Sequence, residues 1–266
     1  MDNQRKQSLG KYFYKNVNIL LFLIILFGIL LRLYKINSPI LDLYPTRQEQ
    51  CAMIARNFFN HGYNIFHPET DWFGSFDSSW RMELPLTSYI AAIFYAIFGV
   101  QEFWGRFISV LFSVGSVVIL FRLTKLLFNT RTAIYTSLLF TISPLGIYFS
   151  RVFMPDMAML FFSIASLYYF FKWNESPSKV YYALAIIFTS LAFLLKLTSV
   201  YLLLPLLYIA YRKHKNKIFL KLSIYIFFFS SILFTLLWYY KTSINLVTFL
   251  VTDESNLTML LQPIFY

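Results

Sequence analysis

Residues 84–101 read Leu-Pro-Leu-Thr-Ser-Tyr-Ile-Ala-Ala-Ile-Phe-Tyr-Ala-Ile-Phe-Gly-Val-Gln. The run carries no charge, and whether it crosses a bilayer decides the sidedness of everything after it. That a bilayer is involved follows from composition. The 266 residues are 58% apolar and only 13% charged, against roughly 45–50% and about 25% in soluble domains. A soluble chain of this length could not hide so much apolar surface, and a disordered one would be far less hydrophobic. The class left is an integral membrane protein. Its formal charge of +11 reads as bases on cytoplasmic loops rather than as a nucleic-acid surface. The single cysteine, Cys51, allows no internal disulfide and no cysteine-based metal cluster.

Seven other charge-free runs stand beside the first: Asn16–Leu31, Phe107–Phe121, Thr132–Ser150, Met157–Phe171, Val180–Leu195, Leu197–Tyr211 and Leu222–Tyr240. None alternates with period two over a barrel-length segment, so the expected class is all-α, a polytopic bundle of membrane helices. Charge parity then tests the runs. Arg5, Lys6, Lys11 and Lys15 place the amino-terminal tail in the cytoplasm. Arg122, Lys125 and Arg131 form an acid-free cluster, and Arg212, Lys213, Lys215, Lys217 and Lys221 form another. With both clusters inside, the chain crosses an odd number of times between residues 32 and 121, so one of the two runs in that window does not cross.

The better span is the second, extended to start at Phe103 with Arg106 near its outer end. Residues 84–101 start at Glu83-Leu84-Pro85 and end at Phe98-Gly99, which suits a helix lying in or on the outer interface. The expectation is about seven spans in one domain, 1–266. The amino terminus is inside and residues 36–102 form one long outer loop with juxtamembrane helices. All acids except Asp2 and Glu175 then lie outside.

Long loops of this kind usually carry function or structure of their own. This one holds Asp42, Glu49, Glu69, Asp71, Asp77, Glu83 and Glu102, with His61 and His67. Cys51, Ile54, Ala55, Phe58 and Phe59 repeat at helical spacing, giving a narrow apolar stripe. Glu49 and Arg56 share a face away from it. Glu49 is then either a solvated residue of an interfacial helix or a group presented to a substrate. Glu83 either satisfies the dipole of the helix opened by Pro85 or serves chemistry. Asp156, after Met154-Pro155, either caps the next helix or acts at the membrane boundary. Lys196 splits two spans with almost no loop between them. It snorkels to the outer surface or holds a phosphate as a point charge. Phosphate-loop, dinucleotide, zinc-protease and paired-cysteine motifs are absent from the sequence, and no transporter-like internal repeat is visible.

The stretch Arg47-Gln48-Glu49-Gln50-Cys51-Ala52-Met53-Ile54-Ala55-Arg56-Asn57-Phe58 is followed by Pro68 and Asp71-Trp72. Then come Glu83-Leu84-Pro85-Leu86, Phe98-Gly99-Val100, Gly105-Arg106 and Met154-Pro155-Asp156. This order resembles the membrane glycosyltransferases of the GT-C fold, in the family 39 branch of protein O-mannosyltransferases and aminoarabinose transferases. The resemblance implies an inverting transfer of sugar from a polyprenyl-phosphate donor to an acceptor hydroxyl, on a lipid, glycan or protein, at the outer face of a prokaryotic cell membrane. It implies catalytic roles for Glu49, Glu83 and Asp156. Lys196, with Arg106 and Arg151, is implied at the donor phosphate. A divalent metal ion held by Glu83 and Asp156 is an optional cofactor. Many relatives carry an Asp-Glu pair or an Asp where this chain reads Arg-Gln-Glu-Gln. Typical relatives also run well beyond residue 266, and the later spans are expected to be missing here. The alternative is a non-catalytic membrane protein or lipid carrier.

Overall fold

The computed structural model describes residues 16–40, 45–71 and 83–252. The amino-terminal bases, Asp42 and Asp77 lie outside them. The described residues fold as helices. They are α1 (Val17–Leu33), α2 (Pro45–His61), α3 (Leu86–Phe98), α4 (Glu102–Leu127), α5 (Thr130–Ile142), α6 (Pro144–Phe149), α7 (Asp156–Glu175), α8 (Lys179–Leu195), α9 (Leu203–His214) and α10 (Leu222–Thr252). Short 3-10 turns at Leu197–Leu202 and Lys215–Leu220 flank α9.

Seven helical segments coincide with the seven expected spans: α1, α4, α5 with α6, α7, α8, the 3-10 turn with α9, and α10. Among the described residues, Glu102–Leu127 and Leu222–Thr242 are long and apolar enough to cross a membrane alone. The others are shorter or more polar and rely on packing. The third span breaks at Ser143-Pro144. Proline supplies no amide to the preceding turn, and the Ser143 hydroxyl accepts from the Gly146 amide at 3.3 Å to start the helix again.

Helix α3 has 13 residues, about 20 Å at 1.5 Å per residue, too short for a hydrocarbon core of about 30 Å. It packs on α2 and α4 instead, as a juxtamembrane helix. Small residues let the two loop helices approach closely: Ala55, Ala91 and Ala92 are fully buried. The α2 stripe faces inward at Cys51, Ile54, Ala55 and Phe58, all buried, while Phe59 points out at 38% exposure. Cys51, Ala55, Ala91, Tyr95, Ile108 and Phe153 form one apolar cluster joining α2, α3, α4 and the segment before α7. A larger cluster built around Phe162, Phe170, Phe193, Leu206 and Phe227 joins α7, α8, α9 and α10. The loop assembly therefore stands on the bundle as one packed body.

Two buried arginines brace the helix ends. Arg32 donates to the Gly28 and Thr141 carbonyls (3.1 and 3.2 Å) and to Ser113 Oγ (3.0 Å). Arg106 is wholly buried and donates to the carbonyls of Pro39 at 3.1 Å and Lys35 at 3.5 Å. Arg32 thereby serves the Thr141 carbonyl at the end of α5, and Arg106 serves the Pro39 carbonyl in the loop after α1.

Candidate active site

Helix α2 turns two faces to two different places. Arg47, Gln50, Cys51 and Ile54 line a crevice with Glu83, Leu84, Pro85, Thr87, Ser88 and Pro155. Glu49, Ala52, Met53 and Arg56 line a separate open pocket of about 580 Å³ with Pro39, Ile40, Tyr95, Val100, Gln101 and Glu102. The division follows from 3.6 residues per turn: positions 47, 51 and 54 share one face, and positions 49, 52, 53 and 56 another.

In the crevice Arg47 forms an ion pair with Glu83 and also donates to Gln50. Glu83 is set by its neighbours. The Leu84 amide donates to the Leu194 carbonyl at 2.9 Å, tying the loop to the end of α8. Pro85 then opens α3. Two residues past Leu194, Lys196 Nζ meets Asp156 Oδ1 at 2.7 Å. Asp156 is the first residue of α7, where the helix dipole favours a negative charge. Its second oxygen, Oδ2, is buried without a hydrogen-bond partner among the described residues.

The two pairs feel each other. Burial raises the Glu83 carboxyl above its usual value. Arg47 and Lys196 pull it back down, and Asp156 pushes it up. Tyr239 of α10 lies within electrostatic reach of Glu83. The Cys51 thiol, fully buried beneath the crevice, is pushed up to about 12 by loss of solvent, so it is no nucleophile.

Of the residues singled out from sequence, Glu83, Asp156 and Lys196 thus come together. Glu49 shares its pocket with Arg56, as the spacing required, but on the other side of α2. Arg106 is occupied with backbone carbonyls in the packed interior. Arg151 Nε is buried without a hydrogen-bond partner among the described residues. Two further residues, Arg47 and Gln48, take part in the site. Arg47 heads the apolar stripe, at i with Cys51 at i+4 and Ile54 at i+7, and a cation on the buried face is a signal in itself. Gln48 is fully buried, and its Oε1 accepts from the Phe153 amide at 3.2 Å, pinning α2 to the segment before α7; the sequence offers no comparable sign of it.

No three or more His, Cys, Asp or Glu side chains among the described residues converge as a metal centre would need. Glu83 and Asp156 are two carboxylates, each already held by a cation. This donor set does not fit a resident divalent ion.

The outer edge of the loop is tied down separately. Glu69 accepts from His61 Nδ1 at 3.0 Å, and His67 Nδ1 lies 3.3 Å from its other oxygen. Asn57 donates to the Glu69 carbonyl at 3.1 Å and to Asp71 Oδ1 at 2.8 Å. Phe66 lies against Trp238 of α10, ring centroids 5.6 Å apart, with Lys241 Nζ 3.7 Å from its centroid.

The fold matches that of solved proteins. ArnT from Cupriavidus metallidurans bound to undecaprenyl phosphate superposes with a TM-score of 0.66, covering 84% of this chain and 41% of that one at 16% identity. Its apo form gives 0.58 over 75% and 37%, also at 16% identity. An uncharacterised protein of Aquifex aeolicus (strain VF5) is 31% identical over 113 residues, 42% of this chain and 23% of that protein. The chain thus spans less than half the length of each of these relatives. The profile of dolichyl-phosphate-mannose-protein mannosyltransferases matches residues 83–240, more than half of the chain and the stretch that supplies Glu83, Asp156 and Lys196. By that match the chain belongs to the dolichyl-phosphate-mannose-protein mannosyltransferase family, with the polytopic helical membrane fold of GT-C glycosyltransferases.

Proposed function

We propose that the chain takes part in transferring a sugar from a polyprenyl-phosphate donor to an acceptor hydroxyl, with inversion, at the outer face of the membrane. The observation that carries this reading is the juxtaposition of the Arg47–Glu83 and Asp156–Lys196 pairs at the foot of the loop helices. In the reaction the acceptor oxygen attacks the anomeric carbon. The bond from that carbon to the phosphate oxygen breaks, and the electron pair leaves with the polyprenyl phosphate. The acceptor proton goes to a carboxylate on the opposite side. Glu83 suits that task better than Glu49. Burial raises its proton affinity, so it takes the acceptor proton more readily than an ordinary carboxylate. Lys196, held by Asp156, is the cation for that phosphate. Glu49, in the neighbouring pocket, is placed to orient an acceptor. The prenyl tail lies along the apolar helices, with the amino terminus cytoplasmic and the loop outside.

A second reading, a non-catalytic protein that only binds the lipid phosphate, gains support from the fact that both carboxylates are held by cations in this state. One experiment separates the two. Membrane vesicles containing the chain are supplied with polyprenyl-phosphate-linked radiolabelled sugar, and label in acceptor is counted. Transfer that Asp156→Asn cuts by about a hundredfold or more supports the enzyme. Equal label with wild type, Asp156→Asn and empty vesicles sinks it.

A further inference from the structure

We infer that Arg47 is a ligand of the donor phosphate, and that Glu83 and Asp156 occupy the phosphate's places on Arg47 and Lys196 until the donor arrives. This deepens the proposed function, from which it takes the identity of the ligand.

Arg47 and Glu83 line the crevice as one ion pair, and a second pair, Asp156 with Lys196, lies within electrostatic reach of Glu83. A phosphate entering beside intact pairs meets as much repulsion as attraction. It gains net attraction only by replacing a carboxylate on its cation. The geometry allows that exchange. The side chains of Arg47 and Glu83 are 25% and 22% exposed, and those of Lys196 and Asp156 are 26% and 18% exposed. All four are partly exposed, so a partner can swing aside without leaving a sealed core. The cations also differ usefully. A guanidinium presents a planar fork that fits two phosphate oxygens, while an ammonium acts as a point charge. Arg47 cannot drift from the crevice, because its helix is anchored by the buried stripe behind it and by Gln48 on the Phe153 amide.

The exchange has a chemical consequence. Arg47 holds down the proton affinity of Glu83. When phosphate takes Arg47, Glu83 loses its cation and becomes a stronger base beside the reacting centre. The base is therefore armed by the donor, which orders binding as donor first and acceptor second. Asp156, with Oδ2 already lacking a partner, is released in the same way when phosphate takes Lys196.

The test is direct binding of polyprenyl phosphate to the full chain in lipid nanodiscs, with polyprenol as the uncharged control. Each variant is first checked for an unchanged thermal midpoint. Arg47→Gln is expected to weaken binding by at least about tenfold. Glu83→Gln is expected to tighten it several-fold, because the competitor for Arg47 has lost its charge. Asp156→Asn provides a second carboxylate arm with the same sign. Weaker binding on removing either carboxylate charge overturns the exchange. Unchanged binding in Arg47→Gln, with weaker binding in Lys196→Gln, removes Arg47 from the site and leaves the donor reading standing. Equal affinity of the wild type for polyprenyl phosphate and polyprenol overturns both.

Discussion

The amide of Leu84 donates to the carbonyl of Leu194 at 2.9 Å, joining the residue after Glu83 to the helix end that presents Lys196. One backbone bond thus sets the separation of two charged residues far apart in sequence. Leu84→Pro deletes the donor, whereas Leu84→Ala keeps it. Sugar transfer is expected to fall by about tenfold or more in the proline variant, since a lost bond of roughly 1 kcal/mol also frees the Glu83 backbone. The alanine variant should stay within about threefold of wild type, as measured by initial rates in vesicles.

The second prediction concerns pH. Burial raises the Glu83 carboxyl, and Arg47 lowers it. Transfer should fall on the acid side as Glu83 takes up a proton, at a pH above the ordinary carboxyl range. Removing the opposing cation in Arg47→Gln should move that acid limb to higher pH, and Glu83→Gln should abolish both the limb and most of the rate. For stability the sign is opposite to that of an acid whose carboxyl is lowered on folding, because burial of Glu83 outweighs its ion pair. The folded state binds the Glu83 proton more tightly than the unfolded state. Stability from this group is therefore fullest below the unfolded value of 4.5 and declines as pH rises to the raised value. Rate–pH profiles of the three proteins check the activity side.

Gly105 offers a packing test. A Cβ at this position would overlap the Phe153 ring at Cδ1 and Cγ, and that ring is wholly buried. Gly105→Ala should cost about 1–3 kcal/mol through overpacking. Adding Phe153→Leu should recover part of the loss by relieving the contact. The measurement is the thermal midpoint of the purified protein in detergent for each single variant and the pair.

Arg106 separates support from substrate binding. Its guanidinium feeds the Pro39 and Lys35 carbonyls from a buried position. Arg106→Lys retains the charge but not the fork, and should lower stability by about 1.5–3 kcal/mol. The KM for donor in the surviving folded protein should stay within about twofold of wild type. A large rise in donor KM with unchanged stability would return Arg106 to the phosphate.

A fourth structural test lies at the loop's edge. The hydrogen bond from Asn57 is the main reason the Asp71 carboxyl sits below its usual value. Asn57→Ala should raise that carboxyl toward 3.8 and speed amide exchange across residues 62–71. Exchange at wild-type rates would show that the Asn57 bonds do not hold this edge.

What was legible in the sequence divides along physical lines. The shortness of α3 was legible, because Pro85 and Gly99 bound its 13 residues in the sequence itself. The pairing of Glu49 with Arg56 on one face of α2 followed from helical period. The period does not say which face meets which neighbour, and so could not tell that Glu49 and Glu83 open onto different pockets. Phe59 matched the stripe by spacing yet faces outward, because the stripe is narrower than its five positions. Arg106 shows the converse limit. A cation at an outer helix end reads alike whether it faces phosphate or backbone carbonyls, and only the tertiary path of residues 35–39 decides between them. Gln48, a neutral residue pinned to the Phe153 amide from 105 positions away, left no trace in pattern or charge.

The two ion pairs close contacts 36 and 40 residues long, and they do not interleave: Arg47 with Glu83, then Asp156 with Lys196. A chain emerging from the ribosome therefore exposes both members of the first pair well before the second pair can exist. The loop can neutralise itself early in biosynthesis. Asp156 then enters the membrane boundary as a bare acid, and it stays one until α8 has been inserted and Lys196 follows. Completion of the second pair waits until α8, the fifth of the seven helical segments, has been synthesised.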